Sequence, residues 1–419
     1  MSLKTLLFLC ILTSFGYTLS LQEAIDLTLK ANHAIKEQEF LLKEAQYNYK
    51  TYQSPFYPSI NATYSTDRTN KISSQRSRKT SGNIGANIQF NLFNGLSDYY
   101  NLASYESLSK AQEHQLQATK EDIILLVKTA YIDVLRQKQN VIVAEQSKAL
   151  LEEQRRESAE FYKVGLIPKN DLLKVEVELN NSIQALLSAK SNLAYSLKNL
   201  ERYTRTKINL KDLVELTLHQ PTLIESTLKN LMYQKRSELL FLDSVIQSKD
   251  YLVKSAKGNF LPNINIIGDY TRYGEDYRLS KRSNTYNDET MITLQINLNL
   301  FNGFNDKYTL ESTKVNKLAF ESQRITLLED LDLQLFSALE TYNLSLNAYQ
   351  VALSALTQAE ENYRISKNRY KERIQSTSDF LDAEYLLTQA RTNVVLNRYA
   401  ILQALAEIER ITQTPQVLN

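Results

Sequence analysis

The chain of 419 residues holds one cysteine, Cys10, and no tryptophan. A single early thiol allows no disulfide framework and leaves the rest of the chain without thiolate chemistry. Lipid attachment at Cys10 is disfavoured, because Leu9 stands where a small residue should precede it. The three histidines, His33, His114 and His219, are widely separated and lack the spacing of metal ligands. There is no glycine-rich phosphate loop and no nucleophile motif, so no enzyme chemistry, cofactor or metal is expected. Charge is nearly balanced, 49 basic against 47 acidic residues, which gives nucleic acid binding no electrostatic basis. Beyond the N-terminus no apolar run is long enough to cross a bilayer as a helix.

Glycine and proline are scarce, at 9 and 6 residues, and their placement is informative. None occurs from Leu96 to Val164, from Lys169 to Gln220 or from Phe304 to Thr414. Stretches so free of breakers predict very long helices. Leu96 to Glu160 as one helix would extend about 98 Å, wider than a single globular core.

What is present begins with a leader. Lys4, the apolar run Leu6 to Leu12, and the small residues Ser14 and Gly16 have the layout of a secretory signal peptide. Residues 1–16 are assigned to it, with Thr18 as a second possible cut. The mature chain is therefore exported.

An internal repeat follows. Asn91-Leu92-Phe93-Asn94-Gly95 recurs as Asn299-Leu300-Phe301-Asn302-Gly303, an offset of 208 that also carries Tyr162 to Tyr370 and Asp171 to Asp379. Upstream the offset is 204, Pro58 matching Pro262, so four extra residues belong to the second hairpin loop. Two copies result, 17–212 and 213–413, with a tail at 414–419. Each reads as helix, β-hairpin (58–92 and 260–301), very long helix, turn and returning helix.

The hairpin strands alternate with period two. Ile84, Ala86, Ile88, Phe90 and Leu92 oppose Asn83, Gly85, Asn87, Gln89 and Asn91, and Ile292, Leu294, Ile296, Leu298 and Leu300 oppose Thr293, Gln295, Asn297 and Asn299. One apolar and one uncharged polar face suit a barrel with lipid outside and water inside. A single such hairpin better suits a soluble core, as most alternating strands do, but two that lead into very long helices in an exported chain favour the barrel. Four strands cannot close a membrane barrel and open edges do not survive in lipid, so copies must share one. The series Leu328, Leu331, Leu335, Leu339, Tyr342, Leu346, Tyr349, Leu353, Leu356 advances by threes and fours, the heptad seam of a coiled coil. The first-copy series Ile123, Val127, Ala130, Val134, Val141 and Ala144 is less regular. The segment from Arg68 to Lys79 carries five basic residues and reads as an outward loop, solvated or near anionic headgroups.

The doubled unit, the Leu-Phe-Asn-Gly strand ends at Asn94-Gly95 and Asn302-Gly303, the Tyr-to-Asp turns and the opening Leu21 to Asn32 resemble the TolC outer-membrane efflux protein family over roughly Leu21 to Ile411. The resemblance implies a mainly α, α+β fold: a transmembrane β-barrel shared by a homotrimer, four strands per protomer, continuous with a coiled-coil α-helical barrel. It implies a channel in the outer membrane reaching into the periplasm. Such a channel works with a periplasmic adaptor and an inner-membrane pump of RND or ABC type, in efflux or type I secretion.

Asp379 and Asp382, three apart and so on one helical face, match a carboxylate constriction at the periplasmic mouth. They also suit an ordinary helix start after Ser376-Thr377-Ser378. Asp171 and Tyr370 match contacts that close the mouth. The family's arginine partner is replaced by Gln375 and its turn glycine by Arg373, which alters those contacts. Val164-Gly165-Leu166 resembles an adaptor-docking tip, and Gly165 also suits a plain helix C-cap. The reading of a different class is a secreted coiled-coil rod or adaptor, which leaves the two alternating hairpins unexplained.

Overall fold

The computed structural model describes residues 19–70, 80–277, 279 and 287–414. The leader at 1–16, loop residues 71–79 and all but the first residue of the tail lie outside the described residues. The element order is α1 (Leu21–Ala31), α2 (His33–Thr51), β1 (Ser59–Arg68), β2 (Thr80–Asn94), α3 (Ser97–Lys163) and α4 (Lys169–Thr204). It continues with α5 (Glu225–Lys235), α6 (Ser237–Gly258), β3 (Asn263–Gly274), β4 (Glu289–Asn297), α7 (Asn305–Lys371) and α8 (Thr377–Thr412). Helices α3 and α7 are 67 residues each, and α4 and α8 are 36 each; the stretch from Leu96 to Val164 is one helix, that from Phe304 to Thr414 divides into α7 and α8, and α4 stops at Thr204, short of Gln220. No described helix is long and apolar enough to cross a membrane.

The chain folds into two compact units, and each gathers parts of both sequence repeats. One comprises residues 37–117 and 237–328 and contains the sheet. All four strands pair antiparallel in the order β1-β2-β3-β4. Ser59 faces Gln89 and Asn263 faces Asn297, separations of 30 and 34, so the four extra residues do lie within the second hairpin. Ile60, Ile88, Ile266 and Leu294 share one face with Tyr64, Ile84, Tyr270 and Ile292, and all are more than a third exposed. The opposite face carries Asn87, whose amide donates to Asp269 at 2.7 Å, and Ser65, whose hydroxyl donates to Asn83 at 2.7 Å. Beneath the sheet, α6 packs antiparallel on α3 through small residues. Ser104 Oγ meets Ser248 Oγ at 2.8 Å, and the Ser97 hydroxyl donates to the Ser255 carbonyl at 2.9 Å. On its other side α6 holds α7 by Asp250 with Lys317 at 2.9 Å and Asp243 with Arg324 at 2.5 Å.

The second unit comprises the described residues of 1–36, 118–236 and 329–419 and contains the larger core. A capping box of Ser20 and Glu23 starts α1. Leu19 pairs with Leu213, and the buried Tyr131 hydroxyl reaches the carbonyls of Leu19 at 2.9 Å and Val214 at 2.8 Å. Val127, Ile132, Leu135, Leu200, Met232, Leu331, Leu335, Tyr399 and Leu402 are almost fully buried. The heptad series on α7 is buried or half-buried throughout, from Leu328 to Leu356. Within this core Lys128 is paired with Glu409, and Arg410 with Asp122 at 2.6 Å. Buried charges are kept only where they are paired.

Candidate functional site

Two places carry the sequence-predicted residues: the turns joining α3 to α4 and α7 to α8, and the strand ends entering α3 and α7. The two turns have the same hydrogen-bond pattern. Leu166 N–H donates to Phe161 O and Gly165 N–H to Tyr162 O, at 2.8 and 3.0 Å; Ile374 and Arg373 repeat this toward Arg369 and Tyr370, at 2.8 and 3.1 Å. This is the Schellman closure of a helix, which needs a left-handed residue. Gly165 supplies it at φ 75°, and Arg373 supplies it at φ 65° despite its side chain. The Arg373 guanidinium lies 3.8 Å from the centroid of the Phe161 ring, a cation–π contact that offsets part of the strain. Val164 and Leu166 flank Gly165 and are largely exposed, presenting a small apolar tip.

Asp171 and Asp379 each occupy the third position of their helix, where the N-terminal dipole favours a carboxylate. The Asp379 N–H donates to Ser376 Oγ at 3.2 Å, so the capping role read from sequence is present. Its carboxylate is nevertheless exposed, as is that of Asp382 one turn on, and the two share a face. The repeat makes them unequal to their counterparts. Asp171 corresponds to Asp379, but Lys174 stands where Asp382 does, and it lies 3.6 Å from Asp171. The first-copy pair is thus self-neutralised, and the second carries two acids that form no ion pair among the described residues. Lys174 also donates to Ser378 Oγ at 2.9 Å, tying the starts of α4 and α8 together.

Tyr370 is placed inside the protomer. Its hydroxyl is 3.1 Å from Ser158 Oγ, and its ring packs on Phe380 and Phe161, centroids 5.2 and 6.0 Å away. Asp171 and Tyr370 therefore each have a partner of their own within the chain. Gln375, in the place of the family's arginine, donates to Ser366 Oγ at 3.2 Å. Nearby on α8, the buried Glu384 accepts from Ser147 at 2.7 Å and Thr388 at 2.9 Å. Burial pushes its carboxyl above the usual range and the neighbouring Glu178 adds to this. The two hydroxyls and Arg391 act the other way without cancelling it.

At the strand ends, Gly95 and Leu96 are both left-handed, at φ 59° and 63°, and Gly303 and Phe304 repeat this at 69° and 65°. Asp98 then gathers the amides of Asn91 and Asn94, at 2.9 and 3.3 Å. Asp306 does the same for Asn299 and Asn302, at 3.5 and 2.7 Å. These aspartates, which lock strand to helix, were missed in the sequence motif although they recur at the same offset of 208. Among the described residues no group of three or more His, Cys, Asp or Glu is arranged to hold a metal.

Comparison with known proteins agrees with this architecture. The profile of the family described as outer membrane efflux protein matches residues 24–204 and 233–413. The outer membrane protein TolC of Vibrio cholerae is 23% identical over 385 residues, covering 85% of this chain and 83% of its own. The outer membrane efflux protein BepC of Brucella suis is 20% identical over 360 residues, covering 84% and 77%. The fold is similar to that of the Campylobacter jejuni CmeC outer membrane channel, with a TM-score of 0.80 at 18% identity over 94% of this chain and 85% of that one.

Proposed function

The chain belongs to the outer membrane efflux protein family, and from that membership we propose that three copies form a passive export conduit across the outer membrane. The observation that carries this reading is the four-stranded sheet. One face is apolar and exposed, and β1 and β4 each have a strand on one side only among the described residues. Three such sheets make a twelve-stranded barrel, within the range that membrane barrels adopt. Outer-membrane lipid covers the apolar face, and the polar face lines water.

In this reading the starts of α4 and α8 gather at the periplasmic mouth, where Asp379 and Asp382 from three copies form two acidic rings. Opening separates the helix pairs that Lys174 and Ser378 now join. Val164, Gly165 and Leu166 offer the docking tip for a periplasmic adaptor, and an inner-membrane pump supplies the energy. Efflux is favoured over type I secretion because the similar proteins of Brucella suis and Pseudomonas putida are named for efflux. Conductance of the purified protein in planar bilayers tests the proposal. Stepwise, cation-preferring currents are expected; a protein that inserts without conducting would overturn it.

A further inference from the structure

The chain is nearly balanced in charge, yet the junctions where strands meet helices are not. Within about three helical turns of the strand ends, residues 46–58, 95–105, 251–262 and 299–310 carry Lys50, Lys254, Lys257 and Lys307, all exposed. The acids in those stretches are Asp98 and Asp306, half-buried and occupied by the asparagine amides of the strand ends. Lys254 is paired with Asp250 at 2.8 Å, but Lys50, Lys257 and Lys307 form no ion pair among the described residues. Exposed acids begin farther from the sheet, and there the lysines are paired again. Lys110 meets Glu106 and Lys314 meets Glu311, both at 2.8 Å. Lysines that only solvate a helix alternate with acids in this way. Those at the junctions do not.

The same level exposes apolar side chains. Leu96 and Phe304 are 49% and 56% exposed, and both are left-handed. Glycine or asparagine would serve the turn at less cost. A bulky apolar residue held there in both repeats calls for something apolar outside the protomer. Phe56 and Phe260, 204 apart, and Tyr99 are exposed at the same junctions. A like copy does not account for them. Ser97 and Ser104 of α3 are buried against α6, while their counterparts Asn305 and Ser312 on α7 are exposed. The first junction is thus closed within the chain, and Leu96, Tyr99 and Phe260 are exposed there all the same. Helix α6, which carries Lys254 and Lys257, already has α3 on one side and α7 on the other.

The apolar face of the sheet runs on into this level. Phe93 pairs with Ile264 on that face, and Phe301 is its repeat. The Phe301 ring meets that of Phe304, centroids 5.3 Å apart, and the Lys307 ammonium lies 6.0 and 5.9 Å from the centroids of Phe304 and Tyr308. Lys50 lies over Tyr47 at 5.4 Å and Lys254 over Tyr251 at 5.1 Å, again 204 apart.

We propose that these junctions form a collar that takes the headgroups of anionic glycerophospholipids, phosphatidylglycerol above all, in the periplasmic leaflet. The proposal rests on the membrane-barrel reading. Leu96, Phe304, Phe56 and Phe260 enter the acyl boundary, and the tyrosines stand at headgroup level, where amphipathic rings are favoured. The lysine stems lie along the rings while their ammonium groups reach the phosphates. With the nearby aspartates held by asparagines, nothing on the collar repels a phosphate, and each lysine near an anionic surface adds attraction.

The chain has no tryptophan, so one placed at the collar reports on its surroundings alone. The full chain carrying Tyr99→Trp is reconstituted in phosphatidylcholine vesicles with equal fractions of brominated phosphatidylglycerol or brominated phosphatidylcholine. Brominated phosphatidylglycerol is expected to quench at least about threefold more effectively. Lys50→Gln, Lys257→Gln and Lys307→Gln together should bring the ratio to one and leave quenching by brominated phosphatidylcholine unchanged, which shows the variant inserted. The three changes to arginine should keep the preference. Equal quenching by the two lipids without the lysine changes, or a preference that survives the glutamines, would overturn the proposal. Tyr270→Trp on the apolar face separates this from the parent reading. Quenching there with none at Tyr99→Trp would overturn the collar alone; none at either would defeat the membrane barrel itself.

Discussion

Asp379 and Asp382 are exposed on one face at the start of α8, while the corresponding first-copy positions hold the neutralising pair Asp171 and Lys174. In the proposed conduit the acidity of the mouth therefore rests on the second repeat. In that conduit each ring would lose three charges on replacing Asp379→Asn and Asp382→Asn together, and block by divalent cations should weaken about tenfold in bilayer recordings. Unchanged block would remove the constriction from these residues. Glu384 gives a pH dependence. Its folded carboxyl titrates above the ordinary glutamate value, so the fold favours the protonated form. That preference is fully present below the ordinary value and is lost as pH rises through the raised one. Glu384→Gln keeps the acceptor for Ser147 and should unfold later than the native chain at neutral pH, with the difference vanishing in acid. Denaturation at several pH values reads this directly, and a pH-independent difference would contradict it. The glycines also divide. Gly95→Ala drives a methyl into Gly258 and should cost about 3 kcal/mol, whereas Gly303→Ala bears only its left-handed backbone within one protomer, about 1 kcal/mol.

Strands and helices show which features could be read from the chain alone. Both ends of α3 and the start of α7 fall within a few residues of the glycines and prolines that bound them, whereas α7 ends without either, at the left-handed Arg373. Alternation located the strands but not their ends: β4 is shorter than its pattern, because strand length depends on what lies beside it. The fold class was thus legible, and the partners that hold elements together were not. Asp98 lies seven residues from Asn91, beyond any local motif, and the Ser104 to Ser248 contact joins residues 144 apart. Asp98→Ala should free two asparagine amides and remove a favourable first-turn charge, costing about 1–2 kcal/mol in chemical denaturation. Arg373→Gly relieves a left-handed side chain but loses its stack on Phe161, so it should change stability by less than about 1 kcal/mol. A large loss would mean that Arg373 makes contacts beyond Phe161.

For the molecule as a whole, the sheet leaves the apolar face and both outer edges uncovered by the described residues of one chain. Burial of the edges by like copies follows from the cost of unpaired backbone groups in lipid. The burial asymmetry between the repeats follows from the same geometry, since one junction closes within the chain and the other has only another chain to close it. The mass of the detergent-extracted protein, corrected for bound detergent by multi-angle light scattering, tests this most directly. Three chain masses in one particle, released from washed membranes by detergent and not by alkali, is the predicted result. A particle of one chain mass would contradict the shared barrel.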